Sequence, residues 1–377
     1  MYTSAFDSHY ADLYGKRWAA LSRCLRRAPT AVAVIPPFFE QIPDQSELDQ
    51  CSAPEVSVED LQGSSYYRRT VLPFCYEQRT FDSRTKSDPS PSELTLYAKK
   101  AIFNANNFVV KAEDCVYYMD VGLCFACHCL GVAPGDRVFD MFAHGGGHSL
   151  IFASLMFSQG ESHTGISGEG RSTLEMVELI NQAREAKQRY AETSLLVCGE
   201  TRRSVHQTTE DILKKYLPKR LLDAASVQTV HHHADHQKIR RYGLFDRIFV
   251  RVPQSADTAD PNTWSKRGLK ASSARALGAL NCAAKLLKPG GTIVYCSHSL
   301  DPMENELIVH TVLASIPELR SEPIDAQSLT DQLRTSLAWE TELPSALPTS
   351  ETRKYGCAFM PDTSPCGPLY ICKLVFN

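Results

Sequence analysis

The sequence lacks any stretch long enough to cross a membrane. Its longest apolar run, Val121 to Ala133, contains His128 and falls short of the roughly 20 residues that a spanning helix needs. It also lacks a strong net charge: 40 Lys and Arg oppose 43 Asp and Glu, for a formal charge of -3. That excludes a globally basic nucleic-acid binder, so any basic surface has to be local. No disulfide framework is present. The 13 cysteines are odd in number and scattered from Cys24 to Cys372 without paired spacing, which fits a reducing compartment. No internal repeat and no secretory signal is found. Tyr10 to Arg27 is basic and partly amphipathic, but Asp7 and Asp12 argue against an organellar presequence, because such peptides are poor in acids. Between Glu40 and Asp60 there is no Lys or Arg, while Glu40, Asp44, Glu47, Asp49, Glu55, Glu59 and Asp60 all fall there. A solvated acidic segment is the ordinary reading of such a run, and a docking arm for a protein partner is the other.

What is there belongs to a globular protein: 43% hydrophobic and 22% charged residues in 377, enough for one large domain or two smaller ones. Residues 6 to 30 read as helical, with Tyr10, Leu13, Trp18, Leu21 and Leu25 along one face. From Pro36 to about Ser92, Pro- and Ser-rich stretches read as loops or an extended linker. Beyond Asp114, helices and strands alternate. Tyr117 to Leu130 reads as one buried helix, and Arg137 to Phe142 as a strand running into Gly145-Gly146-Gly147. Thr173 to Tyr190 reads as a helix, and Leu195 to Cys198 and Leu244 to Val252 as strands. Ala271 to Leu287 reads as a helix stopped by Lys288-Pro289-Gly290-Gly291. Thr292 to Cys296 is a strand and Glu304 to Ser315 a helix. Tyr355 to Met360 and Leu369 to Phe376 form a terminal hairpin. The expected fold is α/β, a doubly wound Rossmann-like sheet with a C-terminal β-hairpin and a helical N-terminal extension. The expected division is residues 1–95 as helix and acidic, Pro-rich linker, and 96–377 as the sheet domain.

A strand ending in Asp140 and followed by three glycines makes a nucleotide-type first turn, since glycine lets backbone approach a ligand closely. Alone that signal is weak, because such turns also serve packing. Three further strings raise it: AAKLLKPGGTIVYCSHSLDPMENE (283–306), FDRIFVRVP (245–253) and DRVFDMFAHGGGHSL (136–150). They resemble, in that order, the late catalytic strand, the "YDRVLVDVPC" strand and the "D.VLDLCAAPGGKTL" loop of the Sun-domain (NOL/NOP/Sun) RNA 5-methylcytosine methyltransferase family. Phe6 to Trp18, Tyr117 to Asp120 and Cys366 to Lys373 extend the resemblance over nearly the whole chain, and they draw it toward the family's mitochondrial ribosomal-RNA branch. That likeness also speaks against a presequence, since the matched helix begins at Phe6.

The resemblance implies a chemistry. One cysteine thiolate attacks C6 of cytosine, C5 then takes a methyl group from S-adenosylmethionine, and a second cysteine helps release the product. Aligned by their flanks, those two cysteine positions are His298 and Gln254, and the family aspartate just before the second is Arg251. Cys296 lies two residues before His298 and would replace the nucleophile only if the strand shifted. The loop Cys-Ala-Ala-Pro-Gly-Gly-Lys becomes Phe142 to His148, keeping Asp140, Gly145, Gly146 and Gly147 as a remnant. The acid for the ribose hydroxyls falls at Ile166, with Glu169 off position, and the acid beside the adenine falls at His233. Losing two charged hydrogen bonds weakens donor binding by about 10²–10⁴-fold, so the donor is expected not to bind.

The expectation is therefore a catalytically inactive relative that serves as a structural or assembly factor on ribosomal RNA or a ribosomal subunit precursor. An active methyltransferase with rewired residues is the alternative, and a pure protein scaffold a third reading. The RNA contacts expected are Arg251, Lys266, Arg267 and Lys270. Arg202, Arg203, Lys214, Lys215, Lys219 and Arg220 form a second basic region, while ordinary solvated charge remains open for all of these. The resemblance further implies a mitochondrial address and a helical-repeat partner of the mitochondrial termination-factor family. No metal is expected. Cys124, Cys127 and Cys129 sit in an apolar helix without a second ligand pair. The residues His231, His232 and His233 alternate faces on a strand and cannot converge, with or without His236.

Overall fold

The computed structural model describes residues 4–25, 31–34, 36, 65–69, 75–80, 116–157, 193–232, 236–253, 263–325, 329, 349–364 and 366–377. The N-terminal extension is helical but broken. Helix α1 (Ala5–Tyr14) is capped by Ser4 and ends at Gly15, whose φ of +54° suits glycine. A single 3-10 turn leads into α2 (Trp18–Cys24). The break rotates the buried face, so Tyr10, Trp18 and Leu21 are buried while Leu13 is 45% exposed.

Four strands then form a small antiparallel sheet in the order β2-β3-β1-β4: β1 (Ala31–Val34), β2 (Ser65–Arg69), β3 (Cys75–Thr80) and β4 (Tyr117–Asp120). This corrects two expectations. The stretch read as loop and linker contains β2 and β3, and Tyr117 opens a strand, not a helix. Asp120 is the turning point. Its carboxylate accepts the Leu123 N–H at 3.0 Å and so caps α3 (Val121–Cys129), all nine residues of which are buried.

The second sheet has nine strands. It comprises β5 (Arg137–Asp140), β6 (Leu195–Glu200), β7 (Val227–His231), β8 (Phe245–Arg251), β9 (Leu287–Ser297), β10 (Leu319–Glu322), β11 (Glu351–Arg353), β12 (Gly356–Phe359) and β13 (Leu369–Phe376). The order is β11-β12-β13-β9-β8-β5-β6-β7, with β10 also on β13. Strands β7, β6, β5, β8 and β9 run parallel, and β13 returns antiparallel to β9 and β12. The intervening helices are α4 (Gly147–Phe157), α5 (Arg203–Tyr216), the short α6 (Lys219–Asp223) and α7 (His236–Ile239), α8 (Lys266–Leu286) and α9 (Glu306–Ser315).

Alternation along the strands splits the core in two. Val138, Val294 and Cys296 face α3 and α4, whereas Phe139, Ile293 and Tyr295 face α8 and the N-terminal helices. The expected helix 173–190 lies outside the described residues. Strand β5 is the switch point: β6 lies on one side of it and β8 on the other. In open α/β sheets the ligand crevice forms beyond the C-terminal ends of the strands at such a point.

Candidate active-site cleft

Four side chains stand at that edge: Asp140 ends β5, Glu200 ends β6, Arg251 ends β8 and His298 follows β9. The turn after β5 has left-handed backbone at His144 (φ +47°), Gly145 (+92°) and Gly146 (+98°). A histidine at positive φ costs energy and needs anchoring. Its backbone N–H reaches Glu200 Oε2 at 3.3 Å, and its Nε2 lies 2.9 Å from the Arg251 carbonyl oxygen. A carbonyl only accepts, so Nε2 carries the proton. The glycines admit close neighbours. A Cβ on Gly147 would stand 2.6 Å from the Tyr117 ring and 2.8 Å from Met119 Sδ, and one on Gly146 would stand 3.2 Å from Ile212. The first sheet thus presses its Tyr117 onto the remnant loop.

Where the resemblance calls for a lysine, His148 is fully buried, with Nδ1 3.6 Å from Asp140 Oδ1. The other Asp140 oxygen accepts the Ser149 hydroxyl at 2.7 Å. Arg251 Nη2 donates toward His298 Nδ1 at 3.5 Å, a long contact. Burial, and then the Arg251 charge, push the pKa of both His144 and His298 well below the usual imidazole value. At neutral pH this edge therefore holds one guanidinium beside neutral imidazoles. Cys296 does not join them. Its thiol is fully buried on the α3/α4 face, and burial raises its pKa far out of the thiolate range.

Both neighbours of β5 are described, and the one on the second-strand side is β6. The acid at its C-terminal end is Glu200; Ile166, His233 and Gln254 lie outside the described residues. Glu200 is fully buried. Its Oε1 accepts the Thr201 N–H at 2.7 Å and the Arg202 N–H at 3.2 Å. Oε2 has only the 3.3 Å contact from His144, which leaves acceptor capacity. The residues thus fit the hydroxyl-bearing end of a nucleoside donor, but among the described residues no cysteine stands at the reacting end. The sequence signal for Glu200 was present: an apolar run, LLVCGE, directly before a basic helix start.

Lys266, Arg267 and Lys270 are exposed on the first turns of α8, which Ser265 caps at 3.1 Å. That turn has no acid, although cations at a helix N-terminus oppose its dipole. The N-terminal helix clasps the same region. His9 meets Asp301 at 2.5 Å, the Tyr14 hydroxyl donates to the Leu300 carbonyl at 2.6 Å, and Trp264 packs on His9 with ring centroids 4.9 Å apart. Nothing in the sequence pattern announced this clasp on the loop that follows His298.

Cys124, Cys127 and Cys129 are buried in α3, and burial pushes all three thiols well up. His231 and His232 each spend a ring nitrogen on a backbone carbonyl, of Thr201 at 3.0 Å and Met141 at 2.8 Å. His233 and the side chain of His236 are not described. Among the described residues no three His, Cys, Asp or Glu side chains are placed to hold a metal ion. Likewise no helix among them is long and apolar enough to cross a membrane.

Sheet order, switch-point crevice, glycine turn and buried acid together define a methyltransferase-type nucleoside fold. The family described as 16S rRNA methyltransferase RsmB/F matches residues 213–375, from the last turn of α5 through β13. That segment, somewhat less than half of the chain, is similar to this family of RNA methyltransferases. The chain is 24% identical over 210 residues to the tRNA (cytosine(72)-C(5))-methyltransferase NSUN6 of Mus musculus, covering 53% of this chain and 37% of that protein. The Homo sapiens counterpart is 25% identical over the same length. The matched part is thus little more than a third of those relatives. Among solved structures, a methyltransferase homolog from Pyrococcus horikoshii superposes with a TM-score of 0.56 at 15% identity, covering 100% of this chain and 96% of that one. NSun6 from Pyrococcus horikoshii gives 0.56 at 13%, covering 98% and 97%. At such identities the structures speak for the fold alone.

Proposed function

We propose that this protein binds RNA through a methyltransferase fold without methylating it, and acts as a structural or assembly factor on ribosomal RNA or a ribosomal subunit precursor. One observation carries the reading: the two positions where the family chemistry needs a cysteine are His298 and Gln254, and no cysteine occurs between Cys198 and Cys282. An imidazole held neutral beside a guanidinium is a poor substitute for a thiolate that must attack carbon and later leave. Cys296, the nearest cysteine in sequence to His298, is sealed in the core. The retained Glu200 and glycine turn favour a second reading, an active enzyme with rewired residues. It requires β9 to shift so that Cys296 reaches the cleft.

Exposed Lys266, Arg267 and Lys270 support the RNA side, through phosphate contacts that position an RNA strand without reading its bases. A mitochondrial address and a helical-repeat partner of the termination-factor family complete the proposal, and both rest on the resemblance. Ultraviolet crosslinking in cells tests the RNA part. The expected result is ribosomal RNA recovered with the wild type and strongly reduced with Lys266→Glu/Arg267→Glu. Equal recovery with the charge-reversed protein removes those residues from the RNA contact. Absence of any RNA returns the chain to a protein scaffold. Fractionation of the tagged protein and mass spectrometry of its co-purified chains test address and partner.

A further inference from the structure

We propose that a groove at the edge of the large sheet opposite the cleft binds a phosphorylated nucleoside, its phosphate held by Arg137 and Arg241 and its base set against Leu195 and Tyr242. The inference draws on nothing in the cleft and holds whether or not methyl transfer is lost. Among the described residues the groove is lined by Arg137, Leu195, Gln228, Arg241 and Tyr242, and it measures about 550 Å³. Small-ligand sites run from roughly 300 to 1,000 Å³. Strand starts build it. Arg137 opens β5, Leu195 opens β6 and Gln228 is the second residue of β7, while a 3-10 turn, Arg240–Tyr242, leads toward β8. Arg137 and Leu195 are partners across their parallel pair, and Gln228 partners Val197. Alternation sets all three on one face, the face on which Phe139, Val197 and Val230 belong to the second core. At the strand starts this apolar face, ending in Leu195, meets polar side chains.

Two guanidiniums line the groove with donors to spare. Arg137 donates through Nε to the Leu244 carbonyl at 3.3 Å and through Nη2 to the Tyr242 carbonyl. Those bonds hold the side chain, and Nη1 has no partner among the described residues. Arg241 is exposed; its Nη2 donates to the Tyr242 hydroxyl at 2.8 Å, and its Cζ lies 4.8 Å from the centre of the Tyr242 ring. Its Nε and Nη1 have no partner among the described residues either. No carboxylate is among the described lining residues. The acids beside this edge in sequence are each paired with another cation. Asp136 accepts from Arg247 at 3.2 Å, and Asp246 accepts from the Lys288 ammonium at 2.8 Å and from the Arg137 backbone N–H at 2.9 Å. Two like charges in one groove repel, and an oxyanion bound by both relieves that repulsion while taking charge-assisted N–H bonds. The other lining groups suit a base. Stacking on tyrosine rings and on guanidinium planes is how unpaired bases are held, and here the two are already layered. Gln228 Nε2 donates to the Ala225 carbonyl at 2.8 Å, which leaves its Oε1 as an acceptor for a base amino or imino group. A nucleotide within an RNA strand and a free nucleotide share this chemistry, and the experiment separates them.

The full chain is titrated with a short single-stranded RNA by fluorescence anisotropy across salt, and with each nucleoside 5′-monophosphate and inorganic phosphate by calorimetry. Arg241→Gln removes an exposed charge and Gln228→Ala removes the acceptor; Arg137 is spared because it holds two backbone carbonyls. Circular dichroism confirms that both variants are folded. Losing a charged hydrogen bond weakens affinity about 10–100-fold, and one lost phosphate contact lowers the slope of log K against log salt by about 0.7 for a single strand. The expected result is a monophosphate bound more tightly than inorganic phosphate, weakened about 10–100-fold by Arg241→Gln and less by Gln228→Ala. If RNA affinity and its salt slope fall in Arg241→Gln as well, the occupant is a unit of an RNA strand. If only monophosphate binding falls, it is a free nucleotide; either result upholds the site. Inorganic phosphate bound as tightly as every monophosphate overturns the nucleoside assignment. Binding of neither RNA nor monophosphate overturns the site. RNA bound with affinity and slope unchanged in Arg241→Gln, and no monophosphate bound, also overturns it and leaves the RNA-binding reading standing.

Discussion

Removing the Glu200 carboxylate gives the most informative single perturbation of the cleft frame. Glu200 is fully buried at the end of β6. Its Oε1 accepts two backbone N–H groups, from Thr201 at 2.7 Å and Arg202 at 3.2 Å, and Oε2 holds the His144 N–H at 3.3 Å. Hydrogen bonds to a charged group contribute about 1.5–3 kcal/mol each. Counting the short contact in full and the longer ones in part, and offsetting the cost of burying a charge, Glu200→Ala should destabilise by about 2–4 kcal/mol. His144 should suffer most, because its positive φ is held partly by this contact. Glu200→Gln keeps one acceptor oxygen for Thr201 and Arg202 but sets an NH₂ group against the His144 N–H, so about 1–2 kcal/mol is expected. Urea unfolding at pH 7.5 reads both. With a slope of about 3 kcal/mol/M, the midpoint of the alanine variant falls by roughly 1 M. A midpoint within about 0.2 M of wild type, or a glutamine variant as unstable as alanine, would refute the claim that this carboxylate ties the strand end to the glycine turn.

Two further outcomes follow from packing and charge. Arg17 binds Asp362 through two contacts, at 2.7 and 2.8 Å, and also reaches Glu351. The Arg17 hydrogen bond holds the Asp362 carboxyl below its usual pKa. A depressed carboxylate pKa stabilises above the unfolded value and loses that contribution as pH falls through the folded value. Arg17→Ala should therefore cost about 1 kcal/mol at pH 7, partly exposed as the pair is, with the difference from wild type vanishing below the ordinary carboxylate range. A loss that persists unchanged at acid pH contradicts the ion-pair account. Gly147→Ala should destabilise by about 1–3 kcal/mol through overpacking against Tyr117 and Met119. In Tyr117→Ala the same change should cost less, with only the Met119 contact remaining, and strict additivity of the two substitutions would show that Tyr117 does not cover the loop.

Four of the five parallel strands of the large sheet were readable as apolar runs between strong stops, whereas β7, with a polar, partly exposed VQTVH sequence, was not. The strand 245–251 and the helix ended by Leu286 match their sequence signals closely. The small antiparallel sheet was not readable. Its strand β1 is four residues long, and β2 carries Tyr66, Tyr67, Arg68 and Arg69 without apolar alternation, so pairing with distant β4 completes it. Tyr117 to Asp120 merged with the apolar helix behind it, because only the Asp120 cap separates the two. At the cleft, Asp140 and the glycine turn close β5, Arg251 ends β8 and His298 follows β9. Glu200 did not emerge, because its place is fixed by which strand pairs with β5 and not by its distance along the chain. The N-terminal clasp through His9 and Tyr14 depends on partners almost 300 residues away, which no local pattern encodes.

The central claim is that methyl transfer has been lost while the fold and its RNA contacts remain. The direct test is incorporation of labelled methyl from S-adenosylmethionine into ribosomal RNA by the purified full chain, with Cys296→Ala beside it. The account predicts no incorporation above the protein-free background for either protein, while RNA is still bound. Incorporation by the wild type that Cys296→Ala abolishes would contradict it, and would make Cys296 the nucleophile of a rewired enzyme.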